Sequence, residues 1–385
     1  MKYLRQYTMV IALVAIWVIF TFLTDFLFLT PRNLSNLFLQ SSTVAILATG
    51  MTLVLVSGYL DLSVGSVAGF IGAVAALIQV DYSWSTPTTI LVCLLLGVLV
   101  GLWHGYLIAY RAIPAFIVTL ASMIAFRGAI LGVTGGRTIG PMSDSFKLLG
   151  QGYLPSLWWT PSIEFNLPPI NDFTFLIATV CVLVFIVMQI RRRNSRVKYG
   201  LKVLSLPLEI VRLSFFSVLI LSFFSIMGFY MGIPYAVLIV LILGGIFTVL
   251  TNDTAFGRHL YAIGGNREAA RLSGINVKQR TLVVFLLMGA LSAVCGLILT
   301  ARLNAATTSA GQNFELDAIA AAIIGGTSTM GGIGTVFGAL IGALVMASLN
   351  NGMSLMDLDI TWQYIVKGCI LLIAVWVDVT TRNKS

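Results

Sequence analysis

Charge is scarce in this chain. Only 10% of its 385 residues are Asp, Glu, Lys or Arg, and histidine occurs twice. With His104 and His259 alone, no Ser/His/Asp set is credible, and His104 has no second histidine or carboxylate spaced with it as a ligand. The four cysteines, Cys93, Cys181, Cys295 and Cys369, are far apart, sit in apolar segments and form no CxxC pair. They read as buried, reduced thiols rather than metal ligands or disulfides. No GxxxxGK[ST] loop occurs, so the chain does not bind ATP in that way. Asp61 is the one acid that the pattern places deep, which counts against a proton relay and a proton-coupled carrier. No basic patch is interleaved with aromatics, so no nucleic-acid partner is expected, and no cofactor is implied. The chain reads as non-enzymatic.

What is abundant is apolar surface. The sequence is 58% hydrophobic, with a mean hydropathy of +0.98. A soluble domain of this length could not hide that surface, and several runs exceed the roughly 18 apolar residues that suggest a bilayer span. The fold class is therefore an all-α polytopic membrane protein, a single transmembrane domain over 1–385. Lys2 and Arg5 precede an apolar run reaching about residue 29. That run is too long for a signal peptide and no small-x-small site follows, so it reads as an uncleaved first span.

Apolar lengths place further spans near 43–58, 63–80, 87–110, 115–134, 171–190, 213–232, 234–252, 281–301 and 363–380, with 33–41 in the interface. A proline-rich polar loop occupies 135–170. Between 281–301 and 363–380 the texture changes. Ile324-Gly-Gly-Thr-Ser-Thr-Met-Gly-Gly-Ile-Gly334 holds five glycines in eleven residues and will not sustain one continuous helix. Two half-helices, about 316–328 and 334–350, entering and leaving from one side, fit better, since irregular backbone at membrane depth survives only inside protein or beside water. That gives about ten crossings plus a re-entrant pair. With both ends cytoplasmic, 17 of the 23 Lys and Arg residues face inside, as the positive-inside rule favours.

Glycines four apart (Gly97, Gly101, Gly105; Gly334, Gly338, Gly342; Gly65, Gly69 with Ala73) make smooth stripes for helix approach. Val64-Gly-Ser-Val-Ala-Gly69 is similar to Ile333-Gly-Thr-Val-Phe-Gly338, which suggests duplicated halves; chance among Gly/Ala-rich helices accounts for it equally well.

Residues that could carry function each admit two readings. Asp61 and Ser63 lie between two short apolar runs: either they flank a broken helix on a translocation path, where Asp61 meets sugar hydroxyls or shapes a gate, or they cap the helix starting near Val64. Arg127, inside a span, needs a partner, with Asp61 or the glycine-rich backbone as candidates, or it snorkels to an interface. Lys367 poses the same choice, and its short distance from the outer face favours snorkelling. Gln312, Asn313, Glu315, Asp317, Asp357 and Asp359 form an outer rim, solvated or facing a partner. The polar interruption 254–280 contains a basic helix: Asn266 as its cap, Glu268 in the first turn, Ala269 and Ala270 without bulk, and Gly274 ending it in the left-handed conformation. Such a helix is either a plug for a groove on another protein or a solvated loop.

Ala262-Ile-Gly-Gly-Asn-Arg-Glu-Ala-Ala-Arg-Leu-Ser-Gly-Ile275 resembles the coupling loop of bacterial ABC importer permeases for monosaccharides. Asp61-Leu-Ser-Val-Gly65 and Glu315-Leu-Asp-Ala-Ile-Ala-Ala321 with Gly325-Gly-Thr-Ser328 are similar to the ribose/xylose type of that family, and Leu349–Ser354 with Trp362–Gly368 to its xylose branch. The resemblance runs from about Pro31 to Trp376, weakest over 191–232. It implies a permease subunit for a pentose, a homodimer in the bacterial inner membrane, two ATPase subunits below and a periplasmic sugar-binding protein above. It also implies that Asn266, Glu268, Ala269, Ala270 and Gly274 lie in the ATPase-docking element. Asp61, Ser63 and Gly65 fall in the family's signature turn. With Arg127, Gly325, Gly326, Thr327, Gly331 and Gly332 they are the candidate path residues.

Overall fold

The computed structural model describes residues 2–157, 170–201, 203 and 205–382. Part of the proline-rich loop, 158–169, lies outside them, as do the basic residues Lys202 and Lys384. Fifteen α-helices and no strand occur among the described residues. Among the described residues nine segments are long and apolar enough to cross a membrane: Pro31–Val56 (α2), Val64–Asp81, Thr86–Ala109 (α4), Ala115–Thr134 (α5), Asp172–Lys198 (α7), Leu206–Gly228 (α8), Tyr235–Asn252 (α9), Val277–Leu303 (α12) and Val336–Leu355 (α14). Lys2–Leu23 (α1) and Ile360–Arg382 (α15) contain shorter apolar stretches. Val64–Asp81 is an α-helix to Ala76 (α3) that widens into a π-turn over its last five residues. Asp144–Gln151 (α6), Ala255–Gly265 (α10), Arg267–Leu272 (α11) and Phe314–Ile324 (α13) complete the set.

The chain divides into two compact units. The larger comprises 1–29, 37–151 and 236–385. At its centre α4 lies antiparallel to α12. The Gly97, Gly101, Gly105 stripe is what allows this: a Cβ at each would strike the α12 backbone near Gly289, Phe285 and Leu282 in turn. α2 also runs antiparallel to α12, with Gly50 against Met288 and Leu291 and Tyr59, just past its end, bonded to Thr281 at 3.0 Å. α3 runs parallel to α12, Ala68 beside Gly296 and Gly72 beside Thr300. α13 and α14 pack antiparallel through Gly325–Gly338 and Ala321–Gly342.

The smaller unit, 30–36 and 152–235, is built on the antiparallel pair α7 and α8. Asn171 anchors it: its Oδ1 accepts from Thr174 N at 2.9 Å, its Nδ2 donates to Leu154 O at 2.8 Å and its backbone N donates to Gly228 O at 2.9 Å. At the opposite end Glu209 is buried between Arg193 and Arg212.

Several expectations change. Residues 33–41 do not lie apart in an interface: α2 is one helix of 26 residues. The 191–212 loop contracts, because α7 continues through the basic run to Lys198 and α8 begins at Leu206. α14 is not half a helix. At 20 residues it is about 30 Å long, enough to cross. The hairpin tip before it reaches Val56 at the end of α2 and Gly264 on α10. The six-residue likeness also does not mark equivalent places. Residues 64–69 open α3, whereas the short helix that follows α12 and a break, as α3 follows α2, is α13.

Candidate functional site

Two helices begin at one level in the larger unit. α3 starts at Val64 and α13 at Phe314, and the backbone of Gly311–Glu315 lies directly against Gly65, where a Cβ would meet the Gly311 carbonyl and the Glu315 side chain. From there they diverge, α3 alongside α12 and α13 toward the hairpin at the end of α2. Each helix N-terminus presents unsatisfied amides and the positive end of the helix dipole. The sequence places acids there: Asp61 before α3, and Glu315 and Asp317 in the first turn of α13. All three are buried. Glu315 lies within reach of the charges of Arg127, Asp317 and Asp61.

Each acid is held differently. Asp61 Oδ1 accepts from Ser63 N at 2.9 Å and Ser63 Oγ at 2.6 Å, closing the turn that precedes α3. Ser63 stands at the cap position, yet its hydroxyl serves Asp61 rather than an α3 amide. Asp317 Oδ2 takes Lys367 Nζ at 3.2 Å. Glu315 Oε2 is buried with no hydrogen-bond partner among the described residues. Glu315 and Asp317 therefore do not form a solvated rim, and Lys367 does not snorkel. Asp359, by contrast, stays at the surface, where hydrogen bonds from Thr361 hold its carboxyl below the usual carboxylate range.

Arg127 pairs with backbone rather than with Asp61. Nη1 donates to Ala310 O and Nη2 to Gly311 O, both at 2.7 Å. The planar fork thus serves two carbonyls of the non-helical stretch before α13, the second of which also accepts from Phe314 N at 3.4 Å. Gly65 and Gly69 on α3 let the same carbonyls approach from the other side. His104 is buried, with Nε2 2.8 Å from Ser122 Oγ.

The glycine-rich hairpin follows α13. Gly325 N bonds to Ala321 O at 2.9 Å, and a Cβ on Gly325 would strike Gly338. Gly326 turns the chain toward Met9. Thr327 is fully buried and its hydroxyl has no partner among the described residues. Gly331 and Gly332 form the tip at φ of 86° and 74°, which glycine adopts without a Cβ clash. The Gly325–Gly332 group is thus distinct from the Asp61–Arg127 cluster, with α13 between them.

The 254–280 segment is a short helical cap. Thr254 opens α10 and Asn266 opens α11, its Oδ1 accepting from Ala269 N at 2.9 Å. Glu268 pairs with Arg271. Gly274, at φ 82°, ends the helix with its N bonded to Arg271 O at 3.0 Å. Ala270 faces inward onto Ile263 and Val277, while Glu268, Ala269, Arg271 and Leu272 face out. Ala270 is therefore packing, and the presented face is the other one. Leu272 is 78% exposed, an apolar tip that the sequence reading did not single out. Tyr59, also missed, stacks under Arg267 at 5.5 Å.

Comparison with known proteins agrees with a transport role. The chain belongs to the family described as branched-chain amino acid transport system / permease component, matched over residues 33–203 and 170–375. It is 46% identical over 384 residues to the xylose transport system permease protein XylH of Escherichia coli (strain K12), covering 99% of this chain and 93% of that one. With XylH of Haemophilus influenzae it shares 44% over 381 residues, 99% and 98% of the two chains. With the ribose import permease protein RbsC of Haemophilus influenzae it shares 34% over 355 residues, 91% and 86%. No solved structure matches the chain significantly. This is an all-α membrane-spanning permease component of a transport system.

Proposed function

We propose that the chain forms the inner-membrane path of an ATP-driven importer for a pentose, D-xylose, as one half of a homodimer. A separate ATPase subunit docks on the outward face of α11, and a periplasmic sugar-binding protein delivers cargo at the opposite end. The observation that carries this reading is the likeness to xylose permeases along 99% of the chain, stronger in identity and in coverage than the likeness to ribose permeases. Both termini face the cytoplasm.

The geometry suits the role. Two helices with converging N-termini leave a level in the larger unit where backbone is not paired in a ladder, beside buried acids whose second oxygens can accept from hydroxyls. ATP binding by the partner would move α11, and the helices would rock to open the path to each side in turn. Asp61, Ser63, Gly65 and Arg127 would line or brace that path, and Gly325, Gly326, Thr327, Gly331 and Gly332 would form its inner constriction. Selectivity resides largely in the binding protein.

The test is uptake in liposomes from purified components, each omitted in turn, with D-xylose, ribose and galactose as cargo. D-xylose should cross only with all components and ATP. Transport by the permease alone would identify an ATP-independent carrier or channel, and a preference for another sugar would reassign the cargo.

A further inference from the structure

We propose that the end of α10 is where movement of α11 is delivered to both broken segments at once, with Tyr261 and Gly264 as the positioning residues. This rests on the reading of α11 as the ATPase-docking helix.

Three backbone segments meet at this point. Gly332 N, at the hairpin tip, donates to Val56 O at the end of α2 at 2.9 Å. Gly264 lies against that hydrogen bond, for a Cβ there would collide with both the Val56 carbonyl and the Gly332 amide. A Cβ on Gly331 would in turn meet Gly264 and the Cα of Gly58. Tyr261, about one turn earlier on α10, donates its hydroxyl to Gly334 O at 2.8 Å. Asn266, which caps α11, comes two residues after Gly264.

The consequence is mechanical. Backbone packed this closely has no slack, so α10 and α11 cannot shift as a body without carrying 56–58 and 331–334 along or breaking these contacts. From 56–58 the chain leads within five residues to the Asp61–Ser63 turn and α3. From 331–334 it leads back through α13 to Glu315. Both converging helices are therefore tied to one contact, and Tyr261 adds a side-chain hydrogen bond to the hairpin there.

The experiment uses the assembled transporter with its ATPase and binding protein in liposomes, with D-xylose as the probe. Tyr261→Phe removes the hydrogen bond to Gly334 O, together with the hydroxyl's contact to Thr251, and little volume. It should keep the ATPase subunit bound and hydrolysing ATP, while sugar moved per ATP falls about threefold to tenfold. An unchanged ratio would overturn the proposal. A second measurement reads the contact directly rather than through transport. Spin labels at Ala255→Cys on α10 and Met330→Cys in the hairpin, both on exposed positions and with the native cysteines replaced, report the α10-to-hairpin distance. That distance should hold constant between nucleotide-free and ATP-bound states and become variable in Tyr261→Phe; a change in the otherwise unaltered chain would also overturn the relay. Retention of the ATPase by Glu268→Arg would count against the docking reading instead, whatever Tyr261→Phe does.

Discussion

Lys367 Nζ lies 3.2 Å from Asp317 Oδ2, joining α15 to α13 across 50 residues of sequence. The acid is 5% exposed and sits in the first turn of its helix. Beside the pair is a cavity of about 190 Å³ lined by Asn313, Met346, Tyr364 and Leu371 among others.

Removing only the cation should therefore be costly. Lys367→Met leaves a carboxylate buried without its partner, and on the order of 3 kcal/mol of stability should be lost. Lys367→Met combined with Asp317→Leu should recover most of it, because replacing a whole buried pair is far cheaper than breaking it. Thermal melting of the detergent-solubilised protein decides: two equally unstable variants would mean that the pair is not what holds α15 to α13.

The Arg127 clamp makes a separate prediction. A lysine keeps the charge but cannot reach both Ala310 O and Gly311 O in the bidentate manner of the guanidinium. Arg127→Lys should therefore loosen residues 304–313 and lower transport, while the ATPase subunit stays bound. Faster amide exchange confined to that stretch and its α3 neighbours is the expected signature. Unaltered exchange there would show that Gly65 and Gly69 suffice to hold the segment.

Much of this arrangement is legible in the sequence, for a definable reason. Long apolar runs give the spans, and Asn266, Glu268 and Gly274 announce the start and end of α11 because capping chemistry is local. The stripe from Gly97 to Gly105 foretells a close helix contact, although not that α12 receives it. What pattern does not carry is depth along the membrane normal. Glu315 and Asp317 look like a rim when counted from the end of α12. They are buried because ten non-helical residues, 304–313, precede α13 and carry it inward. Arg127 is the visible trace of that detour, since a guanidinium in a span signals backbone carbonyls that need a donor. The Gly264 contact had no such signal: Gly264 and Gly265 look alike in sequence, yet only the first is crowded.

Glu268→Arg tests docking without testing folding. Glu268 and Arg271 are both exposed, and an exposed pair three residues apart contributes little to stability. The variant should insert and melt like the parent. An added positive charge on the presented face of α11 should nevertheless release the ATPase subunit and abolish ATP-driven uptake. Normal uptake by the inserted variant would rule out this face as the contact.

Orientation follows from charge within the larger unit. Arg111, Arg258, Arg267, Arg271, Lys278 and Arg280 lie around the α10–α11 end, whereas the 135–151 loop and the end of α12 supply Arg137, Lys147 and Arg302. Two of the latter are already matched, Arg137 to Asp81 and Lys147 to Asp144. Positive charge near span ends is retained in the cytoplasm, so the α10–α11 end should face inside. In a background lacking native cysteines, Leu272→Cys should resist a membrane-impermeant maleimide in intact spheroplasts and react in inverted vesicles. Ser83→Cys, in the turn after the π-helix of α3, should do the reverse. Labelling of Leu272→Cys from outside would place the presented helix away from any cytoplasmic ATPase, and the relay through Tyr261 would then have nothing to transmit.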